Sequence, residues 1–390
     1  MAALGVASAA ATLLSEHRLR MVLRPDGHGL TLVEPLPRRP SQAHRMLIGR
    51  NAQQALALLP NLVPVSGKAH RAAAAAALGT LQPDHGRNVW IDQRPLLLER
   101  LHEHLLPLHR DWPLCMAQAP SQSTLQDIDS VARSLDAPRA EPQALAALRE
   151  LVESRSLGMP ARDFLQIDSA DALLRWAREH DTLTPARFIA WLADQPLALA
   201  AAALPPPLGT PPPGEFAARL LGDPTGRFQS DPQWHGSCRE TGPWARLQQR
   251  ALLRDLAGDG APAAAPLVAR FAARLLELAE TLLAWMGEAD MPPTMKAAAG
   301  LGLADSARGL LAYGVELDHG ERIARCLILA PAQWNFHPQG TAAQLLRSIA
   351  WTTPRQVAQT ASLVACAVDP FVRCDFALPG AASAGVSAGG

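Results

Sequence analysis

Thiol or soft-metal chemistry in this chain has five cysteines to draw on, at positions 115, 238, 326, 366 and 374. No two of them are spaced C-x-x-C, so the spacing indicates neither a zinc ribbon nor a redox dithiol. An odd set of scattered thiols fits a reducing compartment better than a disulfide framework. Taken alone, a cysteine near a helix end is a small core residue. That reading applies to Cys115, Cys238, Cys326 and Cys366. Cys374 closes the segment Asp369-Pro370-Phe371-Val372-Arg373-Cys374. By residue type alone, His70 on its Ala-rich run is a capping or hydrogen-bonded structural histidine, and Arg308 suits a structural salt bridge as well as an anion contact. Trp334-Asn335 reads as a packed aromatic beside a turn-forming Asn. The His-x-x-Cys spacing of His235 and Cys238 is too common to define a site. Residues 114–297 contain no nucleophile–base pair, phosphate loop or metal-ligand cluster.

The rest of the chain has to position these groups. With 390 residues and 48% hydrophobic content, a large core is available. Lys+Arg and Asp+Glu balance at 36 each, which argues against broad electrostatic capture of nucleic acid or an anionic membrane. Aromatic content of 5% with one Tyr removes the stacking platforms of single-strand binders. No run reaches the ~18 apolar residues of a spanning helix, so a soluble, cytoplasmic protein is expected. The Ala-rich start lacks a basic residue before its apolar run, unlike a signal peptide. Residues 1–20 are expected to be a disordered extension, or a start assigned too early with Met21 as the true one. Residues 21–378 form the domain, and residues 379–390 a Gly/Ala/Ser tail expected to be disordered.

Inside the domain, Val22-Leu23-Arg24 and Leu30-Thr31-Leu32-Val33 read as a small β element around a turn at Pro25-Asp26-Gly27. Helices are expected from Ser41 to Arg50, from Asn51 to a stop at Pro60, and from His70 to Leu78 with Gly79 as cap. Arg94 to Arg110, Gln143 to Ser154, Ser169 to His180 and Pro185 to Leu192 carry helical apolar stripes. The Pro-rich stretch 204–214 is expected to be an exposed loop or linker. Ala265 to Met286 is the longest helical pattern, Leu310 to Val315 and Ile323 to Leu329 a hairpin, and Gln356 to Val368 the last helix. The fold class is mainly α with a few short strands (α+β).

Three segments together resemble the nickel–iron hydrogenase large-subunit family. Asp369 to Cys374 is similar to its Asp-Pro-Cys-x-x-Cys motif with phenylalanine for the first cysteine. Asn61-Leu62-Val63-Pro64-Val65-Ser66-Gly67-Lys68-Ala69-His70 stands where the N-terminal Cys-x-x-Cys-x-x-x-His would be. Ala307-Arg308-Gly309 and Ala330-Pro331-Ala332-Gln333-Trp334-Asn335 resemble the Pro-Arg-Gly and Pro-Thr-Thr-Trp-Asn segments. Gly49-Arg50 matches as well. The particular branch resembled is the hydrogenase expression/formation proteins of the HupK/HoxV type, over residues 21–113 and 298–376.

The resemblance implies a large-subunit-like fold with a central helix bundle. It puts Val63 and Phe371 at the nickel-only positions, where neither side chain can ligate a metal. Cys374 stands at a position bridging nickel and iron, Ser66 at the other, and His70 keeps the family histidine, which sits beside the ligands and is not one of them. Arg308 takes the place of an arginine that contacts cyanide, whereas the hydroxyls of the second cyanide site are gone. The same resemblance implies a protein with no nickel and no permanent cofactor that is not an enzyme. It implies transient carriage of an iron–dicyanide–carbonyl unit, with Cys374 as iron thiolate and Ser66 as weak assistant. The expected partners are the maturation proteins that build the unit and a hydrogenase large-subunit precursor. The alternative is a metal-free chaperone or interaction protein for maturation factors.

Overall fold

The helices Arg94–Cys115 and Ala265–Trp285 run against each other through the middle of the molecule. Ala265–Trp285 is apolar nearly all round, the pattern of a helix enclosed on every side. Thr184–Ala193 and Pro354–Val368 complete the helical centre. Trp112, Phe188 and Phe271, from three of these helices, meet with ring centroids 4.6 to 5.2 Å apart. Offset and edge-on contacts of this kind add to the area buried.

This computed structural model describes residues 19–34, 43–63, 65–81, 93–137, 142–258, 261–290, 295–370, 374–379 and 384–385. Two four-stranded sheets flank the helices. In the first, β1 (Leu19–Pro25) pairs antiparallel with β2 (Thr31–Val33) and parallel with β7 (Cys374–Ala377), which in turn pairs with β8 (Ala384–Gly385). Segments far apart in the chain are therefore joined in one sheet, with Leu19 opposite Cys374. The second sheet is an antiparallel meander of β3 (Met295–Ala298), β4 (Leu301–Ser306), β5 (Gly309–Leu317) and β6 (Ile323–Leu329).

The expected fold class, helical with a few short strands, is the one observed, and the Leu310/Ile323 hairpin is its β5–β6 pair. Several boundaries differ. β1 starts at Leu19, ahead of Met21. The helix expected to stop at Pro60 runs as Ala52–Leu62; Pro60 gives up one backbone bond, and the helix ends two residues later. Arg94–Cys115 passes through Pro107 and Pro113 and, at 22 residues, exceeds the 21 of Ala265–Trp285. The helix expected over Gln143 to Ser154 is α-helical only to Arg149 and widens into a π-helical stretch, Glu150–Leu157. There Ser156 Oγ bonds the Leu151 carbonyl at 2.7 Å and His109 Nε2 at 2.9 Å.

The Pro-rich stretch is not a free linker. Pro205, Leu208 and Pro211 are buried, and its backbone bonds Glu240 through the Leu208 amide (2.7 Å) and the Pro206 carbonyl (3.0 Å). Its last residues already belong to the helix Pro213–Leu221. β3 and β4 were not legible in the sequence. The proposed cap Ser41 and most of the tail after Pro379 lie outside the described residues.

Candidate functional site

The Ala-rich helix Gly67–Gly79 lies directly on β4. Its alanines and Gly302 let the backbones close up: a Cβ on Gly302 would stand 1.9 Å from the Ala73 carbonyl oxygen. This seat aims the helix N-terminus at the Arg94–Cys115 helix, where Glu99 and Glu103 share one face four residues apart. The amides of Lys68 and Ala69 donate to Glu99 at 2.7 and 3.0 Å. The Ser66 amide donates to Glu103 Oε1 at 2.6 Å, and its hydroxyl to Oε2 at 2.8 Å. Two carboxylates thus cap a helix N-terminus, where orphan N–H groups and the dipole favour negative charge. Ser66 is held in the left-handed region, φ 53°, a conformation that costs a non-glycine residue about 1–2 kcal/mol.

Arg308 arrives from the β4–β5 turn. Gly309 follows it at φ 135°, so close to Thr241 that a Cβ would stand 2.5 Å from its methyl carbon. Thr241 accepts from the Leu310 amide at 2.8 Å. Asn335 in turn grips Thr241 at both backbone groups, 3.0 and 2.9 Å. Asn335 is therefore a clamp on this turn. On the other side Arg100 donates to the Asp305 carbonyl (2.9 Å) and Arg246 to the Ser306 carbonyl (3.1 Å). Arg246 is fixed by a bidentate pair with Glu277 at 2.6 and 2.8 Å, and Glu277 also meets His104 Nε2 at 2.8 Å.

From this turn Arg308 Nη1 donates to Glu103 Oε2 at 3.0 Å, and its Nε faces Asp369 Oδ1 at 3.5 Å. Asp369 accepts from Arg274 Nη2 at 2.9 Å and is itself left-handed, φ 56°, at the C-cap of Pro354–Val368. Two left-handed non-glycine residues thus reach one guanidinium, Asp369 directly and Ser66 through Glu103. Strain of this kind collects where surrounding structure over-determines a site. Burial disfavours the Arg308 charge, but Asp369 and Glu103 more than restore it and keep its pKa raised. Burial works against the Asp369 carboxylate too, and Arg274 and Arg308 hold it below its usual range. Burial, then the Glu103 charge, pushes Glu99 up to about 7.

Of the expected site residues, Ser66 and Arg308 come together through Glu103. His70 lies one turn beyond Ser66, its amide bonding the Ser66 carbonyl at 2.9 Å. Its ring turns to β5, with Nδ1 2.8 Å from the Tyr313 hydroxyl, and burial drops its pKa to about 4, so it is neutral. Cys374 is buried at the start of β7, five residues beyond Asp369, and burial pushes its thiol up to about 12. Val63 caps the C-terminus of Ala52–Leu62; Phe371 lies outside the described residues. His235 is exposed while Cys238 is buried and points at the Trp334 carbonyl, 3.5 Å away, so this pair forms no site. Cys115 and Cys366, unrelated by spacing, lie within hydrogen-bonding reach of each other across two helices. No group of three or more His, Cys, Asp or Glu poised to hold a metal occurs among the described residues. No described helix is long and apolar enough to cross a membrane.

Sequence reasoning missed Glu103, Glu99 and Arg274, and gave Asp369 no role. The available signal was the pair of glutamates at i and i+4 on a helix otherwise striped with leucine.

No protein-family model matches the chain. Over 366 residues it is 32% identical to the hydrogenase expression/formation protein HoxV of Cupriavidus necator, spanning 86% of this chain and 90% of that protein. The chain belongs to the hydrogenase expression/formation proteins of the HoxV/HupK type. The HupK protein of Bradyrhizobium diazoefficiens is 29% identical over 349 residues, covering 86% of this chain and 90% of its own. Among solved structures, the chain is similar to the nickel–iron–selenium hydrogenase of D. vulgaris Hildenborough in the reduced state. There the identity is 16%, the coverage 88% of this chain and 94% of that one, and the TM-score 0.49.

Proposed function

We propose that this protein is a cytoplasmic, non-catalytic factor in hydrogenase maturation that holds an iron–dicyanide–carbonyl unit in transit and passes it to a large-subunit precursor. The observation that carries the reading is the guanidinium of Arg308, carried on a clamped turn and paired with Glu103 and Asp369, with the chain running on from Asp369 to the buried thiol of Cys374. A fixed guanidinium suits an anionic, linear ligand such as cyanide, and a thiolate suits low-spin iron.

The residues fit a carrier better than a permanent binder. Cys374 binds only as thiolate, and at a pKa of about 12 against a reference of 9.0 deprotonation costs about 4 kcal/mol more than for an ordinary thiol. Iron binding has to supply that energy, and release of the unit returns it as the thiol re-protonates. Glu103 meanwhile keeps Ser66 and Arg308 satisfied when no cargo is present, so the empty protein is not left with a bare buried cation. The proposed partners are the proteins that build the unit and the precursor that receives it. Nickel is not part of this reading, because Val63 offers no ligand atom.

The self-satisfied Ser66–Glu103–Arg308–Asp369 chain favours a second reading, a metal-free chaperone that uses the same surface to engage maturation factors. Replacing Cys374 with Ala separates the two. The carrier reading expects hydrogenase activity in the host to fall at least tenfold with the protein still folded and abundant. Undiminished maturation leaves only the chaperone.

A further inference from the structure

Cys115 and Cys366 take no part in the site described above, yet two distant segments of the chain bring them together. Cys115 is the last residue of the helix Arg94–Cys115, and Cys366 stands in the final turn of Pro354–Val368. The two helices pack against each other, and the two thiols lie within hydrogen-bonding reach. Asp111, one turn before Cys115, acts through its charge on both Cys366 and Asp369, so the same pair of helix ends faces one another there too.

A buried cysteine by itself is a small core residue. Two features take this pair further. The thiols differ in access: Cys115 is half-buried, whereas Cys366 is 4% exposed. That is the arrangement of a thiol that meets a reagent and a second that resolves the product. The hydrogen bond to Cys115, then burial, pushes the Cys366 thiol well above its ordinary range, so it stays protonated until its neighbour has reacted. The second feature is position. Cys115 ends its helix two residues after Pro113, and Ala117 just beyond is left-handed, φ 56°. A helix end is held by fewer backbone bonds than its middle, which lets the sulfurs close to the ~2.05 Å of a disulfide.

We propose that Cys115 and Cys366 are a redox-active dithiol that reacts with a low-molecular-weight disulfide of the glutathione class. Cys115, as thiolate, attacks one sulfur of the reagent and releases the other half as a thiolate. Cys366 then displaces the remaining half from Cys115 and closes the protein disulfide. Each departing thiolate takes up one of the two cysteine protons, so two protein thiols are oxidised and one small disulfide is reduced to two thiols. The new bond ties the ends of two central helices together, three residues before Asp369. In a reducing compartment such a bond is transient and reports the redox poise. The dithiol includes none of Ser66, Glu103, Arg308 and Cys374, so it does not rest on the carrier reading.

The test uses the intact protein, purified reduced and then equilibrated in buffers of increasing oxidised-to-reduced glutathione ratio. Alkylation and non-reducing peptide mapping should show Cys115 joined to Cys366, with the loss of two alkylatable thiols. The bond closes a loop of about 250 residues, and the melting temperature should rise by about 2–5 °C and return on adding dithiothreitol. In Cys366→Ser the reaction should stop at a glutathione adduct on Cys115, without that rise. Cys374→Ala should form the bond as the parent does, which keeps this result separate from the fate of the carrier reading. Both thiols remaining alkylatable in oxidised glutathione, or a parent protein that accumulates only the adduct on Cys115 or pairs either cysteine elsewhere, overturns the proposal. The map of the parent protein decides it even if Cys366→Ser does not fold.

Discussion

Removing Glu103 probes the site at its hub. The carboxylate is 10% exposed and Arg308 15%, so the pair is shielded from solvent and salt. Glu103→Ala removes the partner of the Ser66 amide and hydroxyl and of Arg308 Nη1 together. Arg308 is then left with Asp369 at 3.5 Å, a carboxylate already engaged by Arg274. Breaking one side of a buried ion pair costs about 3–5 kcal/mol. With 390 residues, an unfolding entropy of about 2.1 cal/mol/K per residue gives about 0.8 kcal/mol/K, so the melting temperature should fall by about 4–6 °C. Differential scanning calorimetry measures this directly. Glu103→Gln keeps an acceptor for Ser66 but loses the charge, and should fall between the two. The double variant Glu103→Leu/Arg308→Leu should recover part of the loss, because no uncompensated charge stays buried. If Glu103→Ala melts within 1 °C of the parent protein, the hub assigned to Glu103 does not exist.

Glu99 gives a pH dependence. Its folded-state pKa of about 7 lies above the ordinary carboxylate value of 4.5, so the folded chain holds this proton more tightly than the unfolded one. The associated stability is fully present below about pH 4.5 and is lost as pH rises through about 7. Glu99→Gln should flatten this slope, and parallel stability profiles for parent and variant between pH 4.5 and 8 would contradict it. His109 works in the opposite direction: burial, then the nearby Arg155 charge, drops its pKa to about 4, so its contribution is lost as pH falls from ~6.5 towards 4. Substituting His109 with Gln should make the protein less acid-labile in that window, as read by urea titration. Gly302→Ala forces a methyl to 1.9 Å from the Ala73 oxygen and should cost about 1–3 kcal/mol, while the same change at the open Gly27 turn introduces no such clash.

Much of the helical frame was legible because its signals are local. Ser169 before Ala170–Glu179 accepts from the Ala172 amide as an N-cap should, and the leucine stripe after Arg94 becomes the core helix. The misses have physical causes. Pro60 and Pro113 look like stops, and each helix does end two residues later, after the loss of one backbone bond at the proline. The Gly- and Ala-rich β3 and β4 lack the β-branched alternation that marks a strand, because Gly302 must admit a helix backbone. In the site, Ser66 and Arg308 stood out by motif position. Glu103, which joins them from 37 residues beyond Ser66, did not, because long-range partnership leaves no spacing to read. The Cys115–Cys366 approach was hidden for the same reason.

On the proposed function, a cyanide- and carbonyl-bearing iron passes through a site built on Cys374 and Arg308. An infrared spectrum of protein purified anaerobically from its native host tests it most directly. The carrier account predicts cyanide and carbonyl stretching bands that disappear in the Cys374→Ala protein and shift in Arg308→Leu. Bandless spectra, both from the isolated protein and from a complex trapped with its maturation partners, would contradict it.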